Sequence, residues 1–406
     1  MIGVSSMLIT MSFETLDSVM STVTSIVSDK MLKEEMKNVI VWVKGDKVRF
    51  SAYSGNISSA TEIDAIVELA EADEVFVQLR AKDINDVIGT LKGLKKTVVE
   101  KVVFDIRENE AILSIFEAPI DLEMAGADKY YQETKFRITK PVVKEMVKRE
   151  IESIDFDSTG TVLESVDVLL YVNTLYPTIQ KEVRESTFNM FFGEKHIYTI
   201  VAQYAAIMEN KLNPIVSGFM LPNTVVNFLK NFISTSETFE LSKQPGIKGG
   251  VVLTVRVGSS IAVIKCSDMG KAYDITEYST APEDGIVIDK DYLVDVLKRM
   301  SLSSEQVNIS VNIAGEDSVM EVVSKTMKQQ IPIVTAKGEG QYQFVIRPEL
   351  LSSVILSHAS WLGTASFLYF EHGNRNNIVM AVKDSTNIWQ TKVTGLDASK
   401  GAFTWK

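Results

Sequence analysis

At 406 residues the chain is too long for one compact core and suits two to four domains of ordinary size. Hydrophobic residues make up 45% and charged residues 23%, the balance of a folded chain and not of a disordered one. A formal charge of −11 excludes a surface that is basic all round, while leaving open a basic patch on one face.

A first helix is expected after Ser12, whose hydroxyl can cap it, with Leu16, Val19, Met20 and Val23 on its inner face. Before it, Met1 to Thr10 is apolar but lacks a positive start and a small-residue cleavage site, so no signal peptide is expected. Strand patterns at Val39–Val43 and Val48–Ala52 flank a turn at Gly45-Asp46. A strand at Val75–Leu79 leads through Ala81 into a second helix carrying Ile84, Val87, Ile88 and Leu91. A hairpin of Val102–Ile106 with Ala111–Phe116 follows, then a strand at Asp121–Met124 and a polar connection near Glu133.

The order then restarts. Ile138 to Arg149 parallels Ile288 to Arg299, each with a capping residue, Thr139 or Asp289. Apolar positions match as well: Val143, Met146 and Val147 against Leu293, Val296 and Leu297. Both segments close on a Lys-Arg pair, where the first pass has Ser21-Thr22. In the middle pass an insertion is expected at about 156–185, within which Val162 to Val172 fits a helix or a strand.

After it come a hairpin of Phe188–Phe192 with Ile197–Val201, a strand at Val216–Met220, and a helix from Pro222 carrying Val225, Phe228, Leu229 and Phe232. Leu253–Val257 and Ile261–Lys265 flank Gly258-Ser259, a strand is expected at Ala272–Thr276, and a boundary near Pro282. The third pass repeats the hairpin at Val307–Ile313 with Val319–Val323 around Gly315-Glu316, then a strand at Tyr342–Ile346. Its second helix starts at Pro348 and carries Leu351, Val354 and Ile355. Phe367–Phe370 and Ile378–Val382 flank Gly373-Asn374, Ile388–Val393 is the last strand, and a tail follows Leu396.

The pattern predicts an α+β fold of three repeated domains, each with two helices packed on antiparallel sheets. Their bounds are 1–134, 135–282 and 283–396, with 397–406 as a C-terminal tail.

Catalytic residue types are sparse. His196, His358 and His372 are too scattered for a metal motif, and Gly270-Lys271 has Lys265 where a phosphate loop needs its first glycine. Gly338-Glu-Gly340 looks like a fragment of a dinucleotide fingerprint but runs into a strand pattern. Asp155 to Gly160 looks like an aspartic-protease loop, yet Ser158 separates Asp157 from Thr159 and no second copy exists. It reads as a turn. Cys266 stands alone among apolar strand residues, which excludes an intrachain disulfide and fits a small buried hydrophobe. No apolar run approaches the ~18–20 residues of a membrane span. A non-enzymatic cytoplasmic protein without metal, cofactor or membrane is expected.

The threefold unit, with Phe219–Leu229 and Ile286–Met300, resembles the bacterial β sliding clamps, processivity factors of replicative DNA polymerases, over nearly the whole chain. The middle insertion and the tail depart from the bacterial pattern and point to a phage or mobile-element clamp. The resemblance implies helices lining a channel around double-stranded DNA, read without sequence preference. It also implies a DNA polymerase and a clamp loader as partners, and a head-to-tail homodimer, with a monomer as the alternative.

Phosphate-facing residues implied by it are Lys144, Lys148 and Arg149, Lys298 and Arg299, Lys82, Lys92, Lys95 and Lys96, and Lys230. Solvated helix faces are the plain alternative for each. A partner-peptide cleft would draw on Pro222, Val225 and Val226 with Trp389, Val393 and Leu396. Three rival readings stay open: a monomeric accessory factor of the same fold, a phage structural or assembly protein, and an enzyme built on Asp157 or Cys266.

Overall fold

Ser12 accepts a hydrogen bond from the Thr15 backbone amide at 3.0 Å, filling a need the first turn cannot meet itself. There α1 (Phe13–Val23) begins, and the side chains it buries are Leu16, Val19, Met20 and Val23, as expected. A strand not anticipated, β1 (Met7–Met11), leads into it, with Met7, Ile9 and Met11 buried in alternation.

The computed structural model describes residues 7–397 apart from 28–30, 32, 46, 70–73, 94–96, 109, 120–131, 176–188, 202–203, 270–274, 276–283, 353–354, 357–364, 373–376 and 384–388. The first pass continues with β2 (Asn38–Lys44), β3 (Lys47–Tyr53), β4 (Ile57–Ile63) and β5 (Ile66–Leu69). It ends with β6 (Glu74–Arg80), α2 (Ala81–Lys92), β7 (Thr97–Ile106), β8 (Ala111–Pro119) and β9 (Gln132–Ile138). Gly45 makes the β2–β3 turn at φ +61, a backbone state that favours glycine.

A helix α3 (Glu145–Glu152) comes next, then β10 (Thr161–Glu164) and α4 (Ser165–Leu175). The middle pass goes on through β11 (Asn189–Phe192), β12 (His196–Val201), β13 (Tyr204–Glu209), β14 (Phe219–Pro222) and α5 (Asn223–Ile233). It closes on β15 (Thr238–Pro245), β16 (Gly250–Val257) and β17 (Ser260–Asp268). The third pass holds β18 (Asp284–Asp289), α6 (Lys290–Ser301), β19 (Val307–Ala314), β20 (Val319–Val323), β21 (Lys328–Ile331), β22 (Ile333–Lys337) and β23 (Glu339–Ile346). Helical residues 348–352 follow, burying Leu350 and Leu351, and then β24 (Ala365–His372), β25 (Asn377–Lys383) and β26 (Trp389–Asp397). The strand expected at 121–124 lies outside the described residues, as do Val354, Gly373, Asn374 and, Ile275 excepted, the strand expected at 272–276.

Three expectations for the middle pass are corrected. The helix does not start at Thr139. Pro141 has no amide hydrogen and holds Lys140 away from helical geometry. Thr139 instead donates its amide to Asp83 Oδ2 at 2.8 Å and accepts from the Arg80 amide at 2.9 Å. The buried face of α3 is Val147 and Ile151, while Met146 is exposed.

Its place in the repeat also differs. β1 leads into α1 and pairs with β7; β18 leads into α6 and pairs with β24; β10 leads into α4 and pairs with β15, all antiparallel. The counterpart of α1 and α6 is therefore α4. The stretch taken for an insertion contains the repeat's own strand and helix, and α3 is the added element. Likewise the strand expected at Val216–Met220 is shifted to β14. The Val216 amide bonds the Asn213 carbonyl at 2.8 Å and makes a turn of 213–216.

The chain divides into two compact units, residues 1–165 with 231–266, and residues 166–230 with 267–406. In the first unit one sheet runs β5-β1-β7-β8-β9. In a second, β6, β2, β3 and β4 pair in turn, and β4 pairs across to β17 of the middle repeat. In the second unit β14, β11, β12 and β13 pair in turn, and β13 pairs across to β26 of the third repeat. Both seams join the same kind of strand: the third after a repeat's first helix to the third after the next repeat's second helix.

Candidate nucleic-acid interface

In the first unit, one face of β2, β3 and β4 packs against α1 and the β7 sheet, with the Phe50 and Phe104 rings 6.0 Å apart. Ile40, Trp42, Tyr53 and Ala60 point to the opposite face, where they meet α3. Lys144, Lys148 and Arg149 thus stand across a sheet from α1. Lys144 Nζ reaches Glu35 Oε2 at 2.8 Å, Lys148 Nζ lies 3.6 Å from Glu152 Oε1, and Arg149 is exposed.

The remaining cations lie on the repeat's own helices. Lys82 and Lys92 are exposed on α2, with Lys92 Nζ 2.7 Å from Asp17 Oδ1 of α1. Lys230 is half-buried on α5, and Lys298 and Arg299 are exposed on α6. Lys95 and Lys96 lie outside the described residues. Four of these cations, Lys92, Lys230, Lys298 and Arg299, occupy the last turns of their helices. Acids take the first turns: Glu14, Asp83, Asp167 and Asp291. That arrangement complements the helix dipoles and needs no ligand to explain it.

Among the described residues the rest of the helical surface is not basic. The solvent face of α1 shows Glu14, Ser18 and Ser21, and that of α4 shows Val166, Asp167, Leu170 and Asn173. On α5 it is Thr224, Asn227 and Asn231.

The residues implied for a peptide cleft are spread over one sheet of the second unit. Pro222 ends β14, where it pairs with Asn189. On β26, Trp389 pairs with Met208 and Val393 with Tyr204. Three strands, β11, β12 and β13, stand between them, so the two backbones are roughly 19 Å apart at ~4.8 Å per strand. Val225 and Val226 are buried on α5, at 1% and 0% exposure. The side chains of Trp389, Val393 and Leu396 lie outside the described residues. His196, one residue before the strand expected at Ile197–Val201, starts the intervening β12; burial lowers its pKa and favours the neutral ring at neutral pH.

The residues that kept an enzyme in view have structural roles. Burial pushes the Cys266 thiol up to about 12, and Sγ donates to the Val251 carbonyl at 3.3 Å. Asp155 Oδ1 accepts from the Asp157 amide at 2.9 Å, a side-chain turn, and the Gly160 amide donates to Glu240 Oε2 at 3.0 Å. Among the described residues no group of His, Cys, Asp and Glu is placed to hold a metal. No described helix is long and apolar enough to cross a membrane.

No family model matches the chain, and no curated protein matches it. Solved structures do. The beta sliding clamp of Caulobacter crescentus superposes with a TM-score of 0.71 at 12% identity, covering 97% of this chain and all of that one. The DNA polymerase III beta subunit of Thermotoga maritima gives 0.69 at 13% identity, covering 96% of this chain and 99% of its own. That of Borrelia burgdorferi, solved with a natural product, gives 0.68 at 11%, covering 96% and 98%. The fold is that of the sliding clamps, α+β with antiparallel sheets.

Proposed function

We propose that this chain is a DNA sliding clamp, closing as a head-to-tail pair around duplex DNA and tethering a replicative polymerase to it. The observation that carries the reading is the pair of seams. β4 pairs with β17, and β13 with β26, each joining one repeat to the next by the same strands. By that rule β21 of the third repeat and β9 of the first are the two strands left over. Among the described pairings, β21 pairs only with β20, and β9 only with β8. A second copy offers each the missing partner, and a heterologous contact of this kind closes when the rotation allows.

In this reading each repeat is one clamp domain, the first ending with β9 at Ile138, four residues past the boundary expected at 134, and the second near residue 282. The helices face the duplex, and few phosphates are neutralised. The hold is topological, with Lys82, Lys92, Lys230, Lys298 and Arg299 as the contacts. A clamp loader opens the ring, and the polymerase docks by a peptide on the sheet between Pro222 and Trp389. Divergence from the bacterial clamps fits a phage-encoded protein working in the host cytoplasm.

The test is retention on nicked circular DNA. Bound protein should be lost when the circle is cut, and the mass in solution should be about 90 kDa, twice the 45.1 kDa chain. Release that ignores DNA ends, or a 45.1 kDa monomer, favours a clamp-fold accessory factor that does not encircle DNA. The charged edge of β9, with Glu133, Lys135 and Arg137 exposed, is the feature such a monomer would use against edge-to-edge pairing.

A further inference from the structure

The added helix α3 lies on the seam between the first and middle repeats. Val147, Ile151 and Ile154 are 0%, 1% and 4% exposed, and they close on Ile40, Trp42, Tyr53 and Ala60 of the first repeat. The same cluster includes Ile261 of the middle repeat. Ala60 and Ile261 are register partners across the β4–β17 pairing. One apolar stripe therefore covers both sides of the joint.

Polar ties alternate in the same way. Lys144 holds Glu35 of the first repeat at 2.8 Å, and Glu150 Oε1 holds Lys265 of β17 at 2.7 Å. Beyond the helix, the Arg49 guanidinium of β3 lies 4.0 Å from the Phe156 ring centre, while Arg256 of β16 donates to the Ser158 carbonyl at 2.6 Å. Without these, the seam is five register pairs, a backbone hydrogen bond at each end (Glu62 amide to Ser259 carbonyl at 3.1 Å, Lys265 amide to Asn56 carbonyl at 2.7 Å) and the Thr61–Ser260 hydroxyl contact at 2.9 Å. Two strands paired with no further cover are marginal in water.

The corresponding face of the third repeat is built differently. Asn308, Ser310 and Asn312 of β19 face the same way, opposite Glu321 of β20 and Gln343 of β23. Its apolar members are valines, and no aromatic residue occupies the places of Trp42, Tyr53 and Phe76. Nothing like α3 would find an apolar seat there.

We propose that α3 is a clip that holds the β4–β17 seam shut from its outer face. The seam then stays closed while a ring opens to admit DNA; this last step rests on the clamp reading, whereas the clip itself does not.

Hydrogen exchange on the full-length, DNA-free protein tests the clip alone, and topological retention on circular DNA separately tests the clamp. In Val147→Ser/Ile151→Ser, amides of 57–63 and 260–264 should exchange at least about tenfold faster, with β19 and β23 unchanged. Loss of protection in α3 with the seam still protected would overturn the proposal. Should that variant fail to fold, Glu150→Lys sets two cations against each other without touching the apolar stripe. It should speed seam exchange, and Glu150→Lys/Lys265→Glu should restore it. Equal exchange in the single and double variants would also overturn the clip.

Discussion

Tyr342 donates its hydroxyl to Asp284 Oδ2 at 2.6 Å, fastening β23 to the first residue of β18. The same carboxylate fills the space over two glycines. A Cβ on Gly338, which sits at φ +83, would lie 2.1 Å from Asp284 Oδ1, and one on Gly340 would lie 2.9 Å from Oδ2. Gly338→Ala should therefore cost about 1–3 kcal/mol, from strain and displacement of the carboxylate. Tyr342→Phe should cost about 0.5–1.5 kcal/mol for the lost hydrogen bond. Urea unfolding measures both, and a neutral Gly338→Ala would refute the packing argument.

The cations divide by the side of the sheet on which they stand. Lys298→Glu/Arg299→Glu should weaken retention on circular DNA and polymerase stimulation, with the loss largest at low salt and shrinking as salt rises. Lys148→Glu/Arg149→Glu, on α3, should leave retention within about twofold of the parent. Equal losses from both pairs would place α3 against DNA after all.

Acid should loosen α3. The Lys144 hydrogen bond holds the Glu35 carboxyl below its ordinary range. A group lowered on folding contributes its stability above its unfolded pKa and loses it as pH falls through the folded one. Exchange of α3 amides should rise below about pH 4, and Lys144→Met should flatten that rise. A pH profile that is the same in both proteins would dissociate Glu35 from the clip.

Cys266 should be inert. With its thiol pushed up to about 12 by burial, it should ignore a thiol-specific disulfide reagent at pH 8 and react fully in denaturant. Fast reaction of the folded protein would revive the nucleophile reading.

Helix faces were legible wherever a cap and an apolar stripe coincided, as at Ser12 with Leu16 and Met20, and at Asp289 with Leu293 and Leu297. The middle repeat misled because Lys148-Arg149 imitates Lys298-Arg299, while its true counterpart, α4, has no basic pair and little amphipathic contrast. Short strands such as β10 and β5 owe their state to a neighbour, Leu241 and Leu8 among them, and such pairing leaves no local trace. The same holds for the candidate site. A lysine's letter does not tell which side of a sheet it occupies, and Pro222 and Trp389 gave no sign of the three strands between them. The paired glycines 338 and 340 looked like a fragment of a dinucleotide fingerprint; their cause is Asp284, more than fifty residues upstream.

The compact units and the repeats are out of step by half a repeat: the first unit takes all of β1–β9 and also β10, β15, β16 and most of β17 of the middle copy. Sequence duplication and folding cooperativity thus have different boundaries in this chain. A fragment cut at residue 138 would strip β4 of its partner and Trp42 of its cover, so gene dissection should follow the seams, keeping β17 with β4 and β26 with β13.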